Sequence, residues 1–282
     1  MSGVKIITDS AGDFAPEFMQ EKGITVVPLA VHFGTETFRD WYDIRGKQFY
    51  DRLRAGGVLP RTSQPSPAAF QKAFAEATAD GSSVVCITLS SGVSGTYQSA
   101  VIARDMLPGK PITVIDSKQA ACGEGLLALT AQEMAAAGAT AEEIASRIVD
   151  ALQKMVSVFS VDTLEYLAKN GRIGRAARFL GTLLNMKPIL GLDKDGYVTA
   201  IERVRGSGKV IPALVEQALA RAGSNKAAVL AVAHADCPDA ARELKEAATS
   251  AFKVKRVFES ELGPVIGSHV GPGTMALFVL PE

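Results

Sequence analysis

The sequence predicts an α/β fold in two parts: a mostly parallel sheet with helices on both faces, followed by an α+β unit with a mixed or antiparallel sheet. Three observations carry this. Over the first 155 residues, short apolar runs alternate with longer segments of helical period, the pattern of strands linked by helical crossovers. Further on, residues 187–192, the tetrapeptide Asp193-Lys194-Asp195-Gly196 and residues 197–201 form a different pattern, a hairpin closed by an Asp-Gly turn. The chain is also 282 residues long, enough for two domains or one large one. The division is placed near residue 160, giving domains 1–160 and 161–282.

The elements follow in order. Val4-Lys5-Ile6-Ile7-Thr8 is an apolar run of strand length, too short and too polar for a signal peptide. A second apolar run covers 24–31, and helical spacing covers 46–55. Ser66 and Pro67 supply an N-cap and a first-turn proline for a helix over 67–79. Strands at 83–89 and 112–116 alternate with helices at 96–106, 122–137 and 141–155. After the hairpin come a helix at 209–222, a strand at 227–234, a helix at 238–250 and strands at 253–258 and 274–280. The glycine- and proline-rich stretch 262–273 predicts an irregular loop.

Composition excludes several function classes. Hydrophobic residues make up 47% and charged residues 21%, as in ordinary soluble domains. Thirty basic residues balance thirty acidic ones, so the basic excess of a nucleic-acid binder is absent. Cys86, Cys122 and Cys237 are too far apart for a metal or disulfide framework and fit a reducing, cytoplasmic setting; Cys86 lies in an apolar run and is expected in the core. The uncharged stretch 81–103 is rich in Ser, Thr and Gly and fits strand, loop and helix better than a membrane span.

The strongest chemical signal is Ser90-Ser91-Gly92-Val93-Ser94-Gly95-Thr96, between a buried strand and a helix start. The first N–H groups of a helix lack partners within it, and the peptide dipoles place partial positive charge there. Gly92 and Gly95 would let a ligand approach the backbone and the serines would add neutral donors, so the loop suits a carboxylate or phosphate. Two further loops could contribute: Thr62 and Ser63 ahead of the Ser66 cap, and His269 within 262–273, whose ring can donate to an anion in either charge state. Basic residues cluster at Lys169, Arg172, Arg175 and Arg178, with Arg203 and Arg205 on a separate strand; they make either a solvated face or a dock.

Other motifs fail on detail. Gly92-Val93-Ser94-Gly95-Thr96 lacks the last glycine of a nucleophile elbow, although Ser94 with His269 remains a conceivable hydrolase pair. Gly123-Glu124-Gly125 follows its strand too late for a dinucleotide fingerprint. Gly206-Ser207-Gly208-Lys209 is followed by Val210 where a phosphate loop requires Ser or Thr. No histidine pair has metal spacing, and no cofactor is expected. A phosphotransfer or small-phosphate-binding protein using the same helix end is the alternative function.

Six segments, taken together and in order, resemble the DegV family of bacterial fatty-acid-binding proteins. They are Ile6-Ile7-Thr8-Asp9-Ser10, Thr62-Ser63-Gln64-Pro65-Ser66, Ser90 to Thr96, Val114-Ile115-Asp116-Ser117, Leu167 to Ile173 and Gly267 to Gly273. The resemblance implies a carrier, not an enzyme. It would hold a long-chain fatty acid between its two domains and present the carboxyl to a partner fatty acid kinase, which makes an acyl phosphate for phospholipid synthesis. It implies that Thr62 and Ser94 hydrogen-bond the carboxyl, with Ser63 and Gly95 beside it and His269 completing the pocket. Arg172 would sit at the mouth, with Arg203 and Asp40 as further support for the partner step. A monomer is expected, with room for transient contact at a membrane surface. The tail of a sixteen-carbon acid could contribute on the order of 10 kcal/mol before ordering costs. Apolar residues for its walls are available at Leu126-Leu127, Phe159, Phe179-Leu180, Leu183-Leu184, Ile189-Leu190 and Leu277-Phe278.

Overall fold

The structure, a computed structural model, describes residues 3–181, 186–223 and 227–282. In chain order its strands and α-helices are β1 (Val4–Asp9), α1 (Pro16–Glu21), β2 (Ile24–Val27), β3 (Ala30–Phe33), β4 (Glu36–Arg39), α2 (Gly46–Ala55), β5 (Arg61–Ser63), α3 (Pro67–Ala77), β6 (Ser83–Thr88), α4 (Thr96–Asp105), β7 (Ile112–Asp116), α5 (Cys122–Ala136) and α6 (Ala141–Lys154). The second half continues with β8 (Val156–Ser160), α7 (Glu165–Lys169), β9 (Met186–Leu192), β10 (Val198–Arg205), α8 (Val210–Ala222), β11 (Ala227–His234), α9 (Pro238–Ala251), β12 (Lys253–Glu261), α10 (Pro264–Val270) and β13 (Met275–Pro281).

The strands form two main sheets and one small one. The first sheet is parallel, in the order β2-β1-β6-β7. Its central strands are covered on both faces, so Ile6, Ile7, Val84, Val85, Cys86 and Ile87 are all 0% exposed. The second sheet runs β10-β9-β8-β13-β11-β12 and is mixed: only β11 and β12 pair in parallel. The expected α/β class, with a parallel sheet followed by a mixed one, is observed.

Packing produces a layered body. α3 and α4 cover one face of the parallel sheet, through Phe70, Phe74, Ala100 and Ala103. α8 and α9 cover the outer face of the mixed sheet. Between the sheets lie α5 and α6, which touch strands of both. α5 has no polar face over its first ten residues because it is enclosed on every side. Gly125, part of the loose dinucleotide match, is a packing glycine: a Cβ there would lie 2.6 Å from the Gly12 carbonyl oxygen.

Four features depart from the expected elements. The run 24–31 is not one strand. Pro28 has no amide hydrogen to continue a ladder, and the chain leaves the parallel sheet there. It then builds a separate antiparallel sheet, β4-β3-β5. The hairpin's second strand runs to Arg205, beyond residue 201. The stretch 262–273 is not wholly irregular: Pro264 in the first turn starts α10, which ends at Gly271, φ 75°. The short helices α1 and α7 have no counterpart among the expected elements.

Candidate functional site

The small sheet, α10 and the loop after β6 meet at one cavity of ≈ 380 Å³, within the roughly 300–1,000 Å³ range of small-ligand sites. Thr62, Ser63, Ser94, Arg172 and His269 all border it. The exposed side chains of Ser63, Gln64 and Arg172 mark its mouth. Deeper walls are apolar and come from the mixed sheet, α10 and the link between β2 and β3, including Leu29, Phe159, Val265, Ala276 and Phe278.

Each polar residue is fixed by its neighbours. Thr62 lies on β5, paired to Val31 of β3, and its Oγ1 is 2.8 Å from His269 Nε2. His269 Nδ1 is buried with no hydrogen-bond partner among the described residues. Burial, and then the nearby Arg172 guanidinium, push the imidazole down to about 4, so the ring is neutral at pH 7. Ser94 Oγ is 2.8 Å from Thr96 Oγ1 and accepts from the Thr96 amide at 3.3 Å, one residue ahead of Gly95, the N-cap of α4. Ser94 and His269 thus have separate partners and do not form a Ser–His pair. Arg172 donates through Nε to Val93 O at 3.1 Å and through Nη1 to Asn170 O at 2.9 Å. Asn170 donates onward to Ser268 O at 2.8 Å. The segment after α7 therefore clasps both the serine loop and α10. Ser63 Oγ is 2.9 Å from His32 Nε2.

Two glycines do something other than expected. A Cβ on Gly92 would fall 2.7 Å from the Gly196 backbone. The space beside Gly92 is therefore taken by the Asp-Gly turn of the β9–β10 hairpin, which also accepts from Ser90 Oγ at 3.0 Å through Gly196 O. A Cβ on Gly95 would collide with the Gln64 side chain, and Gly95 does not border the cavity. Both glycines permit contact between parts of this chain rather than approach of a ligand.

Asp40 and Arg203 also lie away from the cavity wall. Asp40 is fully buried, and its carboxylate accepts from Val265 N at 3.0 Å and Ser10 Oγ at 2.7 Å. Asp13, which sequence reasoning missed, accepts from Gly263 N at 3.0 Å and Trp41 Nε1 at 3.3 Å. Together these carboxylates brace the start of α10, the helix that carries His269. Asp13 had no motif to mark it, because its role depends on residues some 250 positions away. Burial pushes Asp40 up to about 7 and Asp13 well above its usual range. Arg203 sits on β10, with its guanidinium 5.2 Å from the Phe179 ring centroid.

Of the apolar residues considered for the walls, Phe159 and Phe278 border the cavity. Leu126, Leu127, Ile189, Leu190 and Leu277 are core side chains, and Phe179 is buried away from the cavity. Leu180 is exposed, and Leu183 and Leu184 lie outside the described residues. Gln64, Ser157 and Thr274 border the cavity and were not foreseen as site residues. Among the described residues no cluster of His, Cys, Asp and Glu could hold a metal ion, and no helix is long and apolar enough to cross a membrane.

The arrangement can hold one small polar head between uncharged donors, with hydrocarbon behind it. Comparison with known proteins points the same way. The model of the DegV family, described as uncharacterised proteins, matches residues 3–282. A DegV domain-containing protein of Caldanaerobacter subterraneus subsp. tengcongensis is 35% identical over 278 residues, covering 99% of each chain. Among solved structures, a DegV family protein from Thermus thermophilus, described by its fatty acid binding, superposes with a TM-score of 0.94 at 35% identity, over 99% of this chain and 100% of that one. A stearic acid-binding protein from Eubacterium ventriosum superposes with a TM-score of 0.91 at 28% identity, over 100% of this chain and 98% of that one.

Proposed function

The chain belongs to the DegV family, and from that premise we propose that it is a carrier holding one long-chain fatty acid with the carboxyl at Thr62, Ser94 and His269. The observation that carries the reading is the cavity itself: Thr62 and Ser94 hydroxyls and a neutral imidazole border it, and most of its remaining lining is apolar. A single-headed amphiphile needs that division. Its tail gains about 0.8 kcal/mol per buried methylene, while an unpaired buried head would cost roughly 1–3 kcal/mol.

The carboxyl is held without a bidentate arginine clamp, so it stays available to chemistry from outside. Arg172, exposed at the mouth, gives two of its five N–H donors to backbone carbonyls. This suits presentation to a partner kinase that would form an acyl phosphate on the bound acid. Arg172 is the basic group that borders the cavity, while Arg203 and Asp40, away from its wall, would act only indirectly. The natural reading of the chain division is a fatty acid gripped between residues 1–160 and 161–282.

Extraction of the purified protein and mass spectrometry of the lipid should return a long-chain fatty acid. A lipid-free protein that also fails to take up palmitate or oleate would overturn the proposal. Acyl phosphate formation with a fatty acid kinase should fall in Ser94→Ala; unchanged turnover would show that the carboxyl lies elsewhere.

A further inference from the structure

Thr62 and His269, the pair assigned to the head group, are carried by different elements: Thr62 by the small sheet and His269 by α10. A buried side chain behind the cavity wall joins the two. Ser10 follows β1 and is 2% exposed. Its hydroxyl donates to Asp40 Oδ2 at 2.7 Å and accepts from Leu29 N at 3.0 Å. The Asp40 amide donates in turn to Leu29 O at 2.9 Å. Residues 10, 29 and 40 therefore close a ring of three hydrogen bonds.

The ring leads to both members of the pair. Leu29 is the residue before β3, whose Val31 pairs with Thr62. Asp40 directly follows β4, the strand on the other edge of β3. The second oxygen of its carboxyl, Oδ1, accepts from Val265 N at 3.0 Å. Val265 lies in the first turn of α10, about one helical turn before His269. The ring is also anchored to the parallel sheet. Asp9, at the end of β1, accepts from Ala11 N at 3.0 Å and from Leu89 N at 2.8 Å, just ahead of the serine loop. Leu29, Leu89 and Val265 border the cavity, whereas Asp9, Ser10 and Asp40 stand behind its wall.

We propose that Ser10 is a positioning residue of the head-group site: through Leu29 and Asp40 it sets the small sheet against α10, and so fixes Thr62 within hydrogen-bond reach of His269. The consequence for the ligand rests on the fatty-acid reading above. Ser10→Ala takes away the donor to Asp40 and the acceptor for Leu29 at once. Buried groups left unpaired are costly, so Asp40 and Leu29 should shift toward new partners and carry α10 and β3 with them.

Two measurements on the delipidated protein test this. The first is the ring-nitrogen NMR signal of His269, assigned by its loss in His269→Gln. In Ser10→Ala that signal should lose the shift imposed by the hydrogen bond to Thr62. The second is palmitate affinity by calorimetric titration. It should fall on the order of tenfold, the worth of one hydrogen bond to a charged group. If Ser10→Ala fails to fold, Ser10→Cys decides on the same two readouts, because its thiol fills a similar space with only a weak donor. An unchanged His269 signal in the folded variant, or a palmitate Kd within about twofold of wild type, overturns the proposal. A wild type that binds no palmitate overturns the fatty-acid reading instead, and the His269 signal then still judges Ser10.

Discussion

Replacing Thr62 by valine tests the head-group site with the least disturbance of shape. The two side chains are nearly isosteric, so the change exchanges one hydroxyl for a methyl on β5 and leaves the strand's pairing with β3 untouched. That hydroxyl sits 2.8 Å from His269 Nε2. The ring's other nitrogen already lacks a partner among the described residues, so Thr62→Val leaves the imidazole without one on either side. The bound carboxylate also loses a donor. A hydrogen bond to a charged group is worth about 1.5–3 kcal/mol, which corresponds to a rise in Kd of roughly 10- to 100-fold. The tail contacts are unchanged, so the preferred chain length should not move. Calorimetric titration of delipidated protein with palmitate measures both effects, and Thr62→Ser, which keeps a hydroxyl, should recover most of the affinity. A folded Thr62→Val protein whose Kd stays within about twofold of wild type would refute the assignment of the carboxyl to this hydroxyl.

Three further outcomes follow from the same geometry. Gly92→Ala places a Cβ 2.7 Å from the Gly196 backbone. It should cost about 1–3 kcal/mol, seen as a lower thermal midpoint; an unchanged midpoint would mean that the hairpin turn yields freely. Ser94→Ala removes an acceptor for the Thr96 amide, so a loss of about 0.5–1.5 kcal/mol in stability, the net worth of one hydrogen bond, should accompany weaker fatty acid binding, with the two separable by thermal melts and titration. Burial raises the Asp40 carboxyl from 3.8 to about 7. The folded protein therefore keeps a proton that the unfolded chain has already released, so this group makes stability fall as pH rises from about 4 to about 7, with no further loss above that. Asp40→Asn should flatten the fall in thermal midpoint over that window, and a slope equal to the wild type's would show that Asp40 does not titrate there.

Much of the parallel sheet was legible because its strands are local signals. Buried runs such as 83–89 are continuous in hydrophobicity, and the helices between them carry their own caps, as at Ser66, whose hydroxyl accepts from Ala69 N. The small antiparallel sheet was not legible. β5 is only three residues long, and three residues have no period to detect. The helix α10 was hidden by glycines that sequence reasoning treats as breakers, although Gly267 packs closely against Tyr50 and Phe49.

The chemical identities at the mouth of the cavity were decided by the sequence alone: hydroxyls at 62 and 94, an imidazole at 269 and a guanidinium at 172 are local facts, and a family pattern ties them together. Their arrangement was decided by the tertiary structure. Thr62 and His269 are 207 positions apart and meet at 2.8 Å, and burial with the nearby Arg172 keeps the imidazole neutral well below pH 7. The same holds for the space around the serine loop: Gly92 and Gly95 look like room for a ligand until the hairpin turn and Gln64 are seen to occupy it. Short-range order follows from neighbours in sequence, whereas a cavity is defined by which distant surfaces fail to close on one another, and no stretch of sequence encodes that by itself.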